Sequence, residues 1–141
     1  MKRVLVTGGF DLIHKGHVAF LEKASALGEQ LFVGLSTDET IRERKGIDRP
    51  VYAYEDRSKI LRALRSVDAV YPIHGLNEEE IAKSTKELVN EIKPHIIACG
   101  WERTADPFMI PLAEKNSWLT YCVIYCEMHH TTDTLKQIRG T

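Results

Sequence analysis

Short apolar runs that alternate with amphipathic stretches constrain the fold of this 141-residue chain most strongly. The first run, 3–7, is closed by two glycines. Four further apolar runs follow, at 31–35, 68–73, 95–100 and 119–125. Helical patterns separate them at about 18–27, 55–67 and 78–92. Strands that are apolar throughout are typical of parallel sheets, so the sequence predicts an α/β fold with a five-stranded parallel sheet and helices on both faces.

Local signals set several boundaries. Gly28 is suited to end the first helix, and Asn77 to begin a helix with three glutamates in its first turn. The polar segment 37–50 is predicted to be a loop because of its composition. A short helix is expected at 131–139. The length predicts one domain, 1–141.

Charge and hydropathy narrow the class of function. Nineteen Lys plus Arg against 20 Asp plus Glu give a net charge of −1, which offers no overall positive field to nucleic acid or acidic membranes. No apolar run approaches the roughly 18 to 20 residues needed to span a bilayer. The N-terminus also turns polar too early for a signal peptide. We therefore expect a cytoplasmic protein that binds neither nucleic acid nor membranes.

The cysteines agree with that compartment. Cys99, Cys122 and Cys126 are an odd number and lie in or beside apolar stretches, which suits reduced thiols better than disulfides. The spacing of Cys122 and Cys126 from His129 and His130 is not that of a zinc ribbon or finger. The sequence therefore predicts no protein metal site.

The segment from Gly8 to His17 joins the first strand to the first helix. Ligands of parallel sheets bind at the carboxyl ends of the strands, where this segment lies. Gly8 and Gly9 permit close approach to the backbone, and the following helix N-terminus favours phosphate. His14 and His17 are three residues apart, about 60° around a helix, so both can contact one phosphate group. An exposed pair of histidines on a turn, or a metal-binding pair, is the alternative for this spacing.

Six motifs in order resemble the cytidylyltransferase-like nucleotidyltransferase family. The first joins Gly9-Phe10-Asp11 to the H-x-G-H signature of the family at His14-Lys15-Gly16-His17. The other five are Ser36-Thr37-Asp38-Glu39, Lys45-Gly46 with Arg49-Pro50-Val51, Glu55-Asp56-Arg57, Val67-Asp68 and Thr131-Thr132. The chain looks similar to glycerol-3-phosphate cytidylyltransferases and to the adenylyltransferase domain of ADP-heptose synthases.

The resemblance implies a Rossmann-like domain that transfers a nucleoside monophosphate from a nucleoside triphosphate to a small phosphorylated acceptor, with release of pyrophosphate. An acceptor phosphate, with a second pKa of about 6, is mostly dianionic at neutral pH and needs no general base. Because one anion must attack the phosphorus of another, hydrogen-bond donors, cations and in-line positioning are expected to provide the catalysis. Mg²⁺ is expected with the triphosphate, bound mostly by phosphate oxygens and waters.

The resemblance also implies the site residues, in three groups. Catalysis is assigned to His14, His17 and Lys45. Acceptor binding is assigned to Lys45 and Arg65. Nucleotide binding is assigned to Gly8, Gly9, Phe10, Asp11, Gly16, Arg57, Gly100, Trp101, His130, Thr131 and Thr132.

Three of these basic side chains have structural alternatives. Lys45, beside Gly46 in a predicted loop, is either a flexible cation that reaches phosphate or a solvated lysine. Arg57 and Arg65 are predicted about 80° apart on one helix, so both can face the site. For Arg57 the alternative is a surface ion pair with a neighbouring acid at 55 or 56. For Arg65 it is likewise a surface ion pair.

Two departures from the family pattern affect nucleotide binding. His130 stands where the family has serine before Thr131-Thr132, and no arginine occurs between Tyr121 and Thr132. Trp101 follows Gly100 where relatives commonly have aspartate, so it either stacks on a base or covers the core. Thr131 and Thr132 either bind phosphate oxygens or only cap the last helix.

The nucleotide is CTP or ATP. Chain length and the motif at 36–39 favour CTP, whereas the motif at 45–51 looks more like the heptose adenylyltransferases. The main prediction is therefore CMP transfer to an acceptor such as glycerol 3-phosphate. The first alternative is adenylyl transfer to a heptose 1-phosphate or another sugar phosphate. A nucleotide-binding regulatory protein without turnover is the alternative from another class, and a homodimer is expected from the resemblance.

Overall fold

The computed structural model describes residues 1–100 and 109–125, in which strands and helices alternate. These elements are β1 (Arg3–Gly8), α1 (Lys15–Ser25), β2 (Gln30–Ser36), α2 (Asp38–Lys45), α3 (Tyr54–Arg62), β3 (Ala69–Ile73), α4 (Glu78–Ile92), β4 (Ile96–Gly100), α5 (Met109–Lys115) and β5 (Thr120–Ile124). All strand pairs are parallel, in the order β3-β2-β1-β4-β5. The predicted α/β fold with a five-stranded parallel sheet is confirmed. None of the helices described is long and apolar enough to cross a membrane.

Helices cover both faces of the sheet, and the central strand β1 is buried on both sides. Val4 and Val6 belong to one apolar cluster, which includes Leu21 of α1. Leu5, which points to the opposite face, belongs to a second cluster with Val89 of α4. The loop that leaves the carboxyl end of β1 therefore starts from a strand that is packed on both faces.

Two helix ends test the predicted boundaries. Asn77 begins α4 as predicted, because its Oδ1 accepts a hydrogen bond from the Glu80 N–H at 2.9 Å. The predicted cap at Gly28 is wrong, since α1 ends at Ser25 with Ala26 as its C-cap. A glycine is still needed at position 28, where a Cβ atom would lie 2.6 Å from the carbonyl oxygen of Lys2.

The prediction of a loop at 37–50 is wrong over the length of α2. This helix buries only Thr40 and Ile41, so its sequence lacks a continuous apolar face that would reveal it. Its charges instead complement the helix dipole, with acidic residues in the first turn and basic residues in the last. The polar composition thus belongs to an exposed helix followed by a shorter loop.

Replacing Asn77 with alanine is expected to lower the free energy of unfolding by about 1 kcal/mol, because the Glu80 N–H loses its capping partner. Urea unfolding followed by circular dichroism measures this. Asn90, exposed on the same helix, gives the matched control, and Asn90→Ala is expected to be neutral or slightly stabilising. Equal losses in the two variants would contradict the capping role.

Candidate functional site

The loop from Gly9 to His14 lies where the winding of the sheet reverses. The chain passes from β1 to β2 and β3 on one side, and then crosses to β4 on the other side of β1. In open α/β sheets such a switch point forms a crevice outside the carboxyl ends of the strands, where ligands bind. Gly8 and Gly100, which end β1 and β4, therefore both lie beside this switch point, and their contact with a nucleotide stays a prediction.

His14 and His17 form a reciprocal capping box at the start of α1. The Nδ1 atom of His14, the N-cap residue, accepts a hydrogen bond from the Gly16 N–H at 3.1 Å. The Nδ1 atom of His17 accepts one from the His14 N–H at 3.2 Å. The two rings lie with their centroids 3.9 Å apart. The spacing of three residues is thus the spacing of an N-cap and its N3 partner.

This capping box determines which ring nitrogen carries the proton. A nitrogen that accepts a backbone hydrogen bond has no hydrogen of its own, so in the neutral ring the proton is on Nε2. In the neutral form His14 and His17 therefore each carry an Nε2–H group close to the N-terminus of α1. Because a helix N-terminus favours negative charge, this arrangement is suited to bind a phosphate.

Phe10 packs into the core and supports the second histidine. Its side chain is buried in the cluster that includes Val4 and Val6. Its ring meets the ring of His17 edge to face, with centroids 5.6 Å apart. A Cβ atom at Gly8 would come within 2.9 Å of the same ring, which explains the glycine. The side chain of Phe10 thus acts in packing, and its backbone remains the part that can contact a nucleotide.

Asp11 is buried and joins residues 49–52 to the loop from Gly9 to His14, which is called the glycine loop below. Its Oδ2 accepts a hydrogen bond from the Val51 N–H at 2.6 Å, and its Oδ1 accepts one from the Tyr52 N–H at 2.9 Å. The Nε atom of the buried Arg49 lies 3.6 Å from Oδ2. These contacts of Asp11 are structural, and the contact with the nucleotide that the family resemblance implies stays a prediction.

The backbone on both sides of Asp11 is strained. Phe10 and Leu12 have φ angles of 46° and 51°, in the left-handed region that side-chain-bearing residues rarely adopt. Each such residue costs on the order of 1 kcal/mol. Strain of this kind persists only where surrounding contacts hold it, and the two backbone bonds to Asp11 are such contacts.

Arg57 lies in the interior of the protein and not on the surface of its helix. Its side chain is fully buried, and its guanidinium donates to the carbonyl oxygens of Gly9, Ser36 and Tyr52 at 2.8, 2.8 and 2.9 Å. A fourth bond, 2.7 Å long, joins Nη2 to Oδ1 of Asp38. The structure thus contradicts the alternative of a surface ion pair with Glu55 or Asp56, and it turns the guanidinium towards the protein backbone.

Tyr54 lies beside this buried cation. The centroid of its ring is 5.8 Å from Cζ of Arg57, and its N–H donates to Asp38 Oδ1 at 2.8 Å. Burial raises the pKa of the Tyr54 hydroxyl, with the charges of Arg62 and Arg57 opposing that shift. The phenol is therefore neutral near physiological pH.

The other two basic residues are placed as follows. Lys45 is exposed in the last turn of α2, rather than in a loop, and Gly46 after it has a φ of 106°. The prediction that Arg65 shares a helix with Arg57 is wrong, because α3 ends at Arg62. The chain there turns through a Leu64 N–H to Leu61 carbonyl bond. Residue 65 lies between α3 and β3, near the amino end of β3. The histidines lie at the carboxyl ends of the strands, so this position argues against acceptor binding by Arg65.

Several predictions lie outside the described residues. These are the roles of Trp101, His130, Thr131 and Thr132, and the helix at 131–139. Among the residues that the structure does describe, no group of three or more His, Cys, Asp or Glu side chains is placed to hold a metal ion.

Sequence reasoning missed the structural importance of three residues that flank the site. Arg49 and Tyr52 meet Asp11, and Asp38 meets Arg57. Arg49 and Asp38 lie within quoted motifs, so the signal was present in their positions. For Tyr52 the contacts use only backbone atoms, and no residue pattern reveals these.

Comparison with known proteins gives a consistent family. A family model described as cytidylyltransferase-like matches residues 5–138. The chain is 42% identical over 118 residues to the bifunctional protein HldE of Methylobacillus flagellatus, a match that covers 83% of this chain and 22% of that protein. The chain thus corresponds to only part of the bifunctional relative.

Two shorter relatives carry other names. The D-beta-D-heptose 1-phosphate adenylyltransferase of Bordetella bronchiseptica is 38% identical over 104 residues, covering 73% of this chain and 60% of that protein. The FAD synthase of Pyrococcus abyssi is 41% identical over 104 residues, covering 74% and 66%.

Among solved structures, the lipopolysaccharide core biosynthesis protein of Thermoplasma volcanium is similar over nearly its whole length. The TM-score is 0.70 with 26% identity, and the match covers 92% of this chain and 99% of that one.

Proposed function

This chain belongs to the cytidylyltransferase-like family and is a nucleotidyltransferase, and from that premise we propose that it transfers the adenylyl group of ATP to a sugar phosphate with release of pyrophosphate. The observation that carries the proposal is the histidine capping box at the switch point of the sheet. It supplies two ring N–H donors and a helix N-terminus at one place, which suits the phosphates of a nucleotide.

The relatives favour the adenylyl alternative over CMP transfer. One of them is named as a heptose 1-phosphate adenylyltransferase, and another makes FAD, a product that contains an adenylyl group. The motif at 45–51 points in the same direction. We therefore place heptose 1-phosphates first among the acceptors.

In the proposed reaction a phosphate oxygen of the acceptor attacks the α-phosphorus of ATP. The bond from that phosphorus to the bridging oxygen of the β-phosphate breaks, and pyrophosphate leaves with both electrons of the bond. His14 and His17 donate from Nε2 to phosphate oxygens, where charge builds up in the transition state. Lys45 is the proposed third donor, reaching phosphate from the end of α2. No general base is required, because the acceptor is already an anion at neutral pH.

We also propose that Mg²⁺ enters with the triphosphate. Asp11, the carboxylate of the glycine loop, already accepts two backbone hydrogen bonds. The described site thus offers the ion few ligands, which fits an ion bound mainly by phosphate oxygens and waters. When bound, Mg²⁺ would neutralise part of the triphosphate charge.

A homodimer remains an expectation of the family resemblance, to be tested by light scattering at micromolar concentration.

The test is pyrophosphate release by the purified protein with Mg²⁺, in which ATP and CTP are each combined with a heptose 1-phosphate, glycerol 3-phosphate and FMN. We expect release with ATP and the sugar phosphate. Release with CTP and glycerol 3-phosphate would restore the CMP prediction. Nucleotide binding without release in any combination would favour the regulatory alternative.

A further inference from the structure

Arg57 is a buried cation that joins the carboxyl ends of two neighbouring strands. Its Nη1 atom donates to both the Gly9 carbonyl, just after β1, and the Ser36 carbonyl at the end of β2. Its side chain has 0% exposure, so it cannot touch a nucleotide bound outside the strands. Burying a guanidinium is costly unless it is fully hydrogen-bonded, and this one is matched by three carbonyls and Asp38.

The bond to Gly9 fixes the direction of the next amide. In a trans peptide the C=O and the following N–H point in opposite directions. The Ser36 peptide shows this, because its carbonyl faces Arg57 while the Thr37 N–H donates away from it, to the Ile73 carbonyl at 3.1 Å. By the same geometry the N–H of Phe10 points away from the buried guanidinium.

The backbone of Tyr52 forms a second set of hydrogen bonds that holds the segment from Gly9 to Asp11. The N–H of Tyr52 donates to Asp11, and its carbonyl accepts from Nε of Arg57 at 2.9 Å. One residue thus links the two groups that hold the glycine loop, at Gly9 and at Asp11. Between these two points lies Phe10, with its left-handed φ of 46°.

The geometry points to Arg57 as a positioning residue that holds the Phe10 N–H toward the phosphates of the nucleotide. This inference rests on the proposed function, since it assigns the Phe10 amide as a further donor to the triphosphate. Removing the guanidinium would free the Gly9 peptide to rotate, while the hydrogen bonds of the histidine capping box do not involve Arg57. The consequence would appear in nucleotide binding and turnover, and not in acceptor binding.

The test compares Arg57→Lys with Arg3→Lys. Arg3 also donates to backbone carbonyls, those of Ile92 and Lys93, but it lies at the amino ends of the strands, away from the site. Both variants are expected to lower the melting temperature. Only Arg57→Lys is expected to lower kcat, by about ten- to a hundredfold, and to raise KM for ATP while KM for the acceptor stays constant. Equal kcat in the two variants would overturn the inference.

A second readout does not depend on turnover. The chain has four phenylalanines, so selective ¹⁵N-phenylalanine labelling gives a simple amide spectrum in which Phe10→Leu assigns the signal. Adding α,β-methylene-ATP with Mg²⁺ is expected to shift the Phe10 signal in the parent and to shift it much less in Arg57→Lys. Equal shifts in both proteins would also overturn the inference.

The two proposals fail separately. A parent protein that releases no pyrophosphate but shows the Phe10 shift would overturn only the proposed reaction. Should Arg57→Lys not fold, Asp38→Ala removes one anchor of the guanidinium at a side chain that is 34% exposed, and a loss of kcat is expected there too. Unchanged kcat and an unchanged Phe10 shift in Asp38→Ala would count against the positioning role.

Discussion

Replacing His14 with asparagine is expected to lower kcat by about a hundredfold or more while the protein remains as stable as its parent. Asparagine is among the preferred N-cap residues, and its Oδ1 occupies the place of the Nδ1 atom that accepts the Gly16 N–H. The replacement therefore keeps the helix cap and removes the Nε2 donor together with the ring that lies against His17. Steady-state pyrophosphate release and urea unfolding measure the two effects separately.

His95 provides the matched control for this experiment. Its Nδ1 also accepts a backbone hydrogen bond, from the Arg3 N–H at 3.0 Å, at the opposite edge of the sheet. His95→Asn is expected to leave kcat unchanged. If His14→Asn retained parental turnover, the Nε2 donor would have no part in the chemistry, and the histidine at position 14 would be only a cap.

Replacing Asp11 with alanine is expected to cost about 3 to 5 kcal/mol of unfolding free energy. The change leaves Arg49 buried without its carboxylate and removes the acceptor for the Val51 and Tyr52 N–H groups. The strained conformations at Phe10 and Leu12 would then lose their support. Urea unfolding with two spectroscopic probes measures the effect.

Asp68 offers a comparison with the same bond in an exposed setting. Its Oδ2 accepts the Leu31 N–H at 2.7 Å, but the residue is exposed. Asp68→Ala is expected to cost about 1 kcal/mol, the usual contribution of one hydrogen bond. Similar losses for both aspartates would show that burial of the Asp11 and Arg49 pair contributes little.

The fold follows from the sequence to a large extent because its strands are buried on both faces. Continuous apolar runs such as 31–35 leave few other interpretations, and the alternation with helices selects a parallel sheet. The exposed helix α2 was missed for the opposite reason. Only Thr40 and Ile41 of that helix are buried, so its sequence has almost no apolar residues at helical spacing.

The candidate site was predicted in place but only partly in geometry. The position of the histidines after the first strand was sufficient to locate them at the carboxyl end of the sheet. Helical spacing could not show that their Nδ1 atoms cap α1, nor that α3 stops at Arg62 before reaching residue 65. The spacing of apolar residues indicates that a segment is helical, but it does not show at which residue tertiary contacts end the helix. The burial of Arg57 likewise depends on backbone carbonyls, which every residue possesses.

Tyr52 takes part in the site through its main chain alone, and its side chain is 41% exposed. Every residue type except proline has the N–H and carbonyl groups that these contacts use. An insertion or deletion between Val51 and Arg57, in contrast, would shift the hydrogen bonds that hold the loop from Gly9 to His14. The number of residues in this segment therefore matters more to the site than the identity of the residue at position 52.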